Sequence, residues 1–238
     1  YQNGVQIGGT SEPGAKIDVL VNGNTQSTTA GADGTWTVTF PTTQVNPGQY
    51  EIPVVVTATD SAGNKVSAND TLVVDTVVQP FTHSASSAGS DGVLNAAESA
   101  QGLTVGGLVE PGSTVQVKLD NGSTYAATVT DGSWSYTFAA SEITTGDLHT
   151  MPISAYATDA YGNVSNTIAS TVQVDTLVSN FAQTLTDTSS VKADSVLNAA
   201  EAQGGLRIGG TVEAGSVVMV KLGNGVEHQA TVSNGNWS

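Results

Sequence analysis

Apolar residues recur at every second position in short runs along the chain, and glycine, asparagine and aspartate bound the runs. Within residues 35–40, Trp36, Val38 and Phe40 alternate with threonines, and Trp134, Tyr136 and Phe138 repeat the arrangement. Ile17, Val19 and Val21 alternate likewise, as do Val115, Val117 and Leu119. Successive side chains of a strand leave on opposite faces, so a period of two predicts half-buried antiparallel strands. Asn22-Gly23, Asn121-Gly122 and Asn224-Gly225 follow the aliphatic runs. Asp33-Gly34, Asp131-Gly132 and Asn234-Gly235 precede the tryptophan runs. Such pairs supply the positive φ angles that tight hairpins need. No stretch of useful length carries helical periodicity. Trp134, Tyr136 and Phe138 are expected to face the layer between two sheets.

The pattern repeats about every 100 residues. Ala58-Thr59-Asp60-Ser61-Ala62-Gly63-Asn64 returns as Ala157-Thr158-Asp159-Ala160-Tyr161-Gly162-Asn163, and Val74-Asp75-Thr76 as Val174-Asp175-Thr176. Glu12-Pro13-Gly14 returns as Glu110-Pro111-Gly112 and then as Glu213-Ala214-Gly215. Val93-Leu94-Asn95-Ala96-Ala97-Glu98 returns as Val196-Leu197-Asn198-Ala199-Ala200-Glu201. Taking Val-Asp-Thr as the close of each unit, residues 1–76 are a repeat without its N-terminal strand. Residues 77–176 are then a complete repeat, and 177–238 a repeat without its C-terminal strands. This phase implies a piece of a longer array. Seven strands are expected in the complete unit, near 79–87, 102–109, 114–119, 124–130, 133–138, 150–158 and 165–174. That count, without cysteine, fits an immunoglobulin-type β-sandwich lacking its disulfide. An odd number of antiparallel strands puts the two chain ends of a unit at opposite poles, so the expected fold is all-β, with sandwiches arranged end to end.

The ordered motifs Asp-x-x-Leu-Asn-Ala-Ala-Glu, Gly-Gly-x-Val-Glu-Pro-Gly, Asp-Gly-x-Trp, Ala-Thr-Asp-x-x-Gly-Asn and Val-Asp-Thr carry a resemblance. Together they resemble the bacterial immunoglobulin-like repeats of large type I-secreted surface adhesins. The resemblance implies an extracellular, cell-surface stalk that supports cell adhesion or biofilm formation. It also implies Ca²⁺ near the domain junctions as the stiffening cofactor. The implied partners are neighbouring repeats of the same chain, with a surface or matrix ligand elsewhere in the full protein. The alternative is a binding module whose loops recognise carbohydrate or a host protein.

Composition narrows these classes. Twenty-one acidic residues against six basic ones give a formal charge of −15, which repels nucleic acid and anionic lipid. No apolar run reaches the roughly 20 residues of a membrane span, so no membrane insertion by this stretch is expected. The sequence contains no cysteine, which removes disulfides, thiolate metal sites and cysteine nucleophiles. His83, His149 and His228 fall at repeat positions that do not correspond, and are expected to be solvated. With no nucleophile elbow either, no enzymatic activity is expected. The Gly-Gly pairs at 8–9, 106–107 and 209–210 lie within strands and mark a bulge or a close backbone approach.

The oxygen-bearing side chains are the candidate chemistry. Asp75 and Asp175 sit at the linkers between units, while Asp60 and Asp159 lie in the connection between the last two strands. Strand parity puts Asp159 beside the preceding unit's Asp75, where the two could share a Ca²⁺ with its six to eight oxygen ligands. The competing reading of Asp-x-x-Gly-Asn is a hairpin turn in which Asp bonds its own backbone. Asp91, Asn95 and Glu98, repeated as Asp194, Asn198 and Glu201, form a second set. Three oxygen donors within eight residues can wrap a hard cation, and Asn-Ala-Ala-Glu equally matches a capping box on one helical turn.

Overall fold

The computed structural model describes residues 4–83, 89, 91–184 and 196–238. Strands dominate, and the predicted alternation is what folds. In the first repeat six strands form: β1 (Val5–Thr10), β2 (Lys16–Val21), β3 (Asn24–Thr29), β4 (Thr35–Phe40), β5 (Gln49–Thr59) and β6 (Lys65–Asp75). They make one sheet of β1 and β4 and a second in the order β3-β2-β5-β6. Ile17, Val19 and Val21 from β2 meet Trp36, Val38 and Phe40 from β4 in the layer between them. The threonines and Asp18 between those residues stay wetter, so each strand buries one face. Each fully buried aliphatic or aromatic side chain contributes about 1.5–3 kcal/mol relative to exposure, which makes this layer the main source of the repeat's cohesion.

The β5–β6 ladder is the longest, running from Gln49↔Asp75 to Thr59↔Lys65. Pro53 sits inside β5 without breaking it. Pairing with β2 ends at Val54, so no strand on that side calls for an N–H from residue 53. The close of the ladder is locked by Thr76, whose hydroxyl accepts from the Gly48 N–H at 2.7 Å while its N–H donates to the Gly48 carbonyl. Thr176 and Gly146 reproduce both bonds in the second repeat.

The chain forms two compact units that do not follow the expected repeat boundaries. One comprises Tyr1–Ala85, Val105–Tyr136 and Ser154–Ala169; the other comprises Ser86–Thr104, Thr137–Ile153 and Ser170–Ser238. Within the first unit, the segment ahead of the second repeat runs antiparallel to the strand Leu103–Leu108. Phe81 pairs with Val109, and the Thr82 N–H donates to the Leu108 carbonyl at 2.9 Å. Trp134, 2% exposed, donates its indole N–H to the Thr82 carbonyl at 2.9 Å. This carbonyl lies over Gly107, where a Cβ would sit 1.9 Å from it, so the close backbone approach expected of the Gly-Gly pair is the one realised. Tyr136 faces the layer between the sheets as expected and is half-buried, its ring stacked 5.1 Å between centroids from Tyr125 on the opposite sheet. The expectation of solvated histidines holds for His228, which is exposed, but not for His83 and His149, which are half-buried. His83 packs within 6.1 Å of the Trp134 ring, and burial lowers its pKa.

In the second unit, Val93–Leu94 runs parallel to Gln173 and Val174. It leads into a helical turn, Ala96–Ser99. His149 opens the strand His149–Thr158 with its Nδ1 2.7 Å from the Asp147 carbonyl, and its Nε2 is buried. The third repeat forms a sheet from Ala182–Thr184, Gly209–Thr211, Asn236–Trp237 and Val232–Ser233, in that order. Val212, Val218 and Trp237 form its buried cluster. Trp237 donates to the Ala182 carbonyl at 3.1 Å, as Trp134 does to Thr82.

Candidate metal centre

Three carboxylates from distant parts of the sequence converge in the first unit. Asp75 is the last residue of β6, Glu110 opens the Glu-Pro-Gly turn, and Asp159 follows the strand that ends at Thr158. One carboxylate oxygen from each lies within 4.8 Å of the other two. Ligands at the 2.3–2.6 Å typical of Ca²⁺ lie at most about 4.6–5.2 Å apart across one ion, so this spacing suits a shared cation. Among the described residues the one ion pair is Lys16–Asp18, so no basic side chain neutralises the cluster. Three carboxylates can offer up to six oxygens, and their hardness matches Ca²⁺ rather than a thiolate-seeking metal.

Local chemistry explains each placement. Asp159 is 6% exposed and organises its turn by accepting from the backbone N–H groups of Tyr161 at 2.9 Å and Asn163 at 2.8 Å through Oδ1. Its Oδ2 accepts from the Asn163 side-chain amide at 2.7 Å. Burial pushes the Asp159 pKa up, but the bonds from the Asn163 side chain and from the Asn163, Tyr161 and Gly162 backbone outweigh it. The group therefore lies below its ordinary 3.8 and is ionised at neutral pH. The same Asn163 amide reaches Asp75, lying 3.2 Å from its carbonyl oxygen and 3.2 Å from Oδ1. Glu110 Oε2 accepts from the Gln79 N–H at 3.0 Å, so it also ties down the segment leading into the second repeat.

The other candidates sort differently. Asp60 makes the Asp159 turn again, with Oδ1 accepting from Ala62 and Asn64 N–H and Oδ2 from the Asn64 amide. It is half-buried, against 6% exposure for Asp159, and the Asn64 side-chain bond, followed by the Asn64 backbone bond, lowers its pKa. No group of three acids includes it among the described residues. Asp175 Oδ1 is buried without a hydrogen-bond partner among the described residues. Four residues after it, Ser179 donates its N–H to Glu213 at 3.2 Å, as Gln79 does to Glu110. The capping box of the second set is formed: Asn95 Oδ1 accepts from Ala97 and Glu98 N–H, and Glu98 Oε2 accepts from Asn95 N–H. Asp91 Oδ1 accepts from Val93 N–H, and an added Cβ at Gly89 would lie 2.4 Å from Glu98 Oε1 and 3.3 Å from Asp91 Oδ1. In the third repeat Asn198 is exposed just ahead of the helical turn Ala199–Ala202, which contains Glu201; Asp194 lies outside the described residues.

Sequence reasoning missed Glu110 and Asn163 as site residues. Their signal was the recurrence of Glu-Pro-Gly and the terminal Asn of Ala-Thr-Asp-x-x-Gly-Asn, both of which read as turn formers alone.

Residues 3–76 match the family model of the bacterial Ig-like domain, and the fold around this site is the all-β sandwich that such a domain has. Three solved structures from large adhesion proteins and adhesins are similar to the chain. A Ca²⁺-stabilized adhesin that helps an Antarctic bacterium reach out and bind ice is 30% identical, with 99% of this chain and 60% of that one covered and a TM-score of 0.42. A 1.5-MDa bacterial ice-binding adhesin, solved in connection with host cell surface retention, is 25% identical over 99% of this chain and 79% of its own, with a TM-score of 0.47. A tetra-tandem repeat from the extending region of a large adhesion protein is 20% identical over 97% and 60%, with a TM-score of 0.34. The chain thus spans 60% of the first of these. No curated protein sequence matches the chain. Among the described residues no helix is long and apolar enough to cross a membrane.

Proposed function

We propose that the chain is a non-enzymatic stretch of tandem Ig-like repeats, bounded at 76/77 and 176/177, that serves as an extracellular spacer in a surface adhesin. In this reading Asp75, Glu110 and Asp159 hold Ca²⁺ at the first junction. The observation that carries it is the convergence of these acids, one contributed by the close of one repeat and two by the next, with no cation side chain among them. A divalent ion turns their mutual repulsion into a crosslink. Asn163 orients Asp75 and Asp159 as the neutral member of the cluster. Asp175 and Glu213 are the corresponding pair at the second junction, and the buried, unpartnered Asp175 Oδ1 supports that reading. The chain's partners are then its neighbouring repeats, and recognition of a surface lies elsewhere in the protein. The rival, recognition by the loops, draws on exposed aromatics outside the strands, Tyr161 at 75% in the Asp159 turn and Phe181 at 60%.

The test is calorimetric titration of Ca²⁺ into the chelator-treated chain, with Mg²⁺ as control. At about 100-fold excess over its dissociation constant, Ca²⁺ stabilises the bound state by about 2.7 kcal/mol, and amide exchange around Val74–Val78 slows accordingly. Glu110→Gln removes one charge from the set and weakens binding at the first junction. Ca²⁺ heats identical for the chain and for the combined Asp75→Asn, Glu110→Gln, Asp159→Asn variant would overturn the assignment.

A further inference from the structure

Two ties fasten the segment 75–79 to the body of the second repeat, and neither uses a cation. The first is the Asn163 side-chain amide. One of its hydrogens goes to Asp159 Oδ2 at 2.7 Å, and the other is shared between the Asp75 carbonyl oxygen and Oδ1, each 3.2 Å away. The second is the Gln79 N–H, which donates to Glu110 Oε2 at 3.0 Å. Between them, Thr76 is bonded back to Gly48 of the first repeat, and Val78 is buried. The segment is thus gripped from both repeats at once.

The turn that carries Asn163 builds this donor on its own. The Asn163 N–H donates to Asp159 Oδ1 at 2.8 Å, and the Asp159 N–H donates to the Asn163 carbonyl at 3.0 Å. The Asp60 turn repeats these bonds at the same 2.8 and 3.0 Å, with its Asn64 amide again 2.7 Å from the aspartate Oδ2. The sequence of the turn alone therefore fixes the amide, and the tie to Asp75 costs little further ordering of that side chain. Being neutral, the amide bridges Asp75 and Asp159 without supplying charge. A lysine there would take the place of a cation; an asparagine leaves that place open.

We propose that Asn163 and Glu110 form a cation-independent clasp on the segment 75–79, which sets the joint between the first two repeats before any ion binds. The clasp rests on reading 76/77 as a repeat boundary and needs no metal. Where Ca²⁺ does bind, as proposed above, it meets carboxylates already gathered and tightens a joint already closed. A fall in divalent cation then softens the joint without opening it.

Hydrogen exchange on the chelator-treated 238-residue chain reads the clasp by itself. The Gln79 amide should stay protected at least about tenfold relative to an unstructured peptide. Asn163→Ala should speed its exchange about fivefold, the equivalent of one lost hydrogen bond, whereas Asn64→Ala, the same change in the Asp60 turn, should leave it in place. Protection of the Tyr161 amide, which donates to Asp159 Oδ1, shows in the same spectrum that the Asn163→Ala turn is intact. Glu110→Gln keeps an acceptor for Gln79 and should hold most of the protection, while Glu110→Ala should lose it. An unprotected Gln79 amide in chelator, no response to Asn163→Ala, or equal effects of the two Glu110 variants would overturn the proposal. Calorimetric titration of Ca²⁺ tests the metal centre separately, so either reading can fail without the other.

Discussion

Replacing Trp134 by phenylalanine isolates the bond that holds the covering strand of the second repeat. The indole N–H donates to Thr82 at 2.9 Å from a side chain only 2% exposed, so its loss leaves a carbonyl without its partner in a dry setting. A hydrogen bond of this kind contributes about 1 kcal/mol net, and leaving its acceptor unpaired raises the cost toward the upper end of roughly 1–3 kcal/mol. The smaller ring adds roughly 1 kcal/mol for the void it leaves. Trp36→Phe is the internal control: it makes the same void but breaks no indole bond, so it should cost at least about 1 kcal/mol less. The chain holds more than one buried cluster, so a single melting curve would blend several transitions. Native-state hydrogen exchange reads each repeat separately. At the Leu108 and Thr82 amides, Trp134→Phe should speed exchange at least about fivefold more than Trp36→Phe does at Ile7 and Thr10. Equal effects of the two substitutions would show that the indole–carbonyl bond contributes nothing, and the reasoning would fail. Full truncation, Trp134→Ala, should cost about 3–5 kcal/mol.

Two further outcomes follow from the same packing. Gly107→Ala sets a methyl 1.9 Å from the Thr82 carbonyl, so the covering strand must withdraw with its three bonds at Thr82, at about 2–3 kcal/mol; unchanged protection of the Trp134 indole in this variant would refute the contact. Burial lowers the His83 pKa below 6.5, so the unfolded chain takes up that proton first; stability should fall as pH drops below about 6.5 and level off once the folded-state histidine is protonated. His83→Gln should flatten that limb of the stability–pH curve in metal-free buffer, and an unaltered limb would assign it to other groups.

Strands were legible because each carries its own period of two, and turns because Asn-Gly and Asp-Gly declare their backbone locally. Asn22 and Gly23 take φ of 50° and 75°, as that dipeptide requires. The helical turn at Ala96–Ser99 was equally local, since Asn95 and Glu98 need only each other. Side chains whose fate depends on remote partners were harder to read. Tyr136 takes the face that its phase with Trp134 gives it, but its stacking partner, Tyr125 on the opposite sheet, was not legible. His83 falls in the strand expected near 79–87, and its packing against Trp134, 51 positions away, is not visible there. Glu110 sits in a turn motif that explains itself without a carboxylate, so nothing local marked it as a third acid beside Asp75 and Asp159.

The indole–carbonyl bonds join residues 52 and 55 positions apart, at Thr82–Trp134 and Ala182–Trp237. During synthesis the covering strand therefore leaves the ribosome well before the tryptophan that secures it. At about 5–20 residues per second this strand waits some seconds with an open edge. The second and third repeats make nearly equivalent strands and slots, so the waiting strand of one fits the slot of the other. Order of appearance protects against the exchange, because each strand is next to its own slot in sequence and closing that loop is entropically cheaper than closing one a full repeat longer. Tandem likeness, which makes the array easy to lengthen, thus sets a kinetic hazard that only chain proximity holds in check.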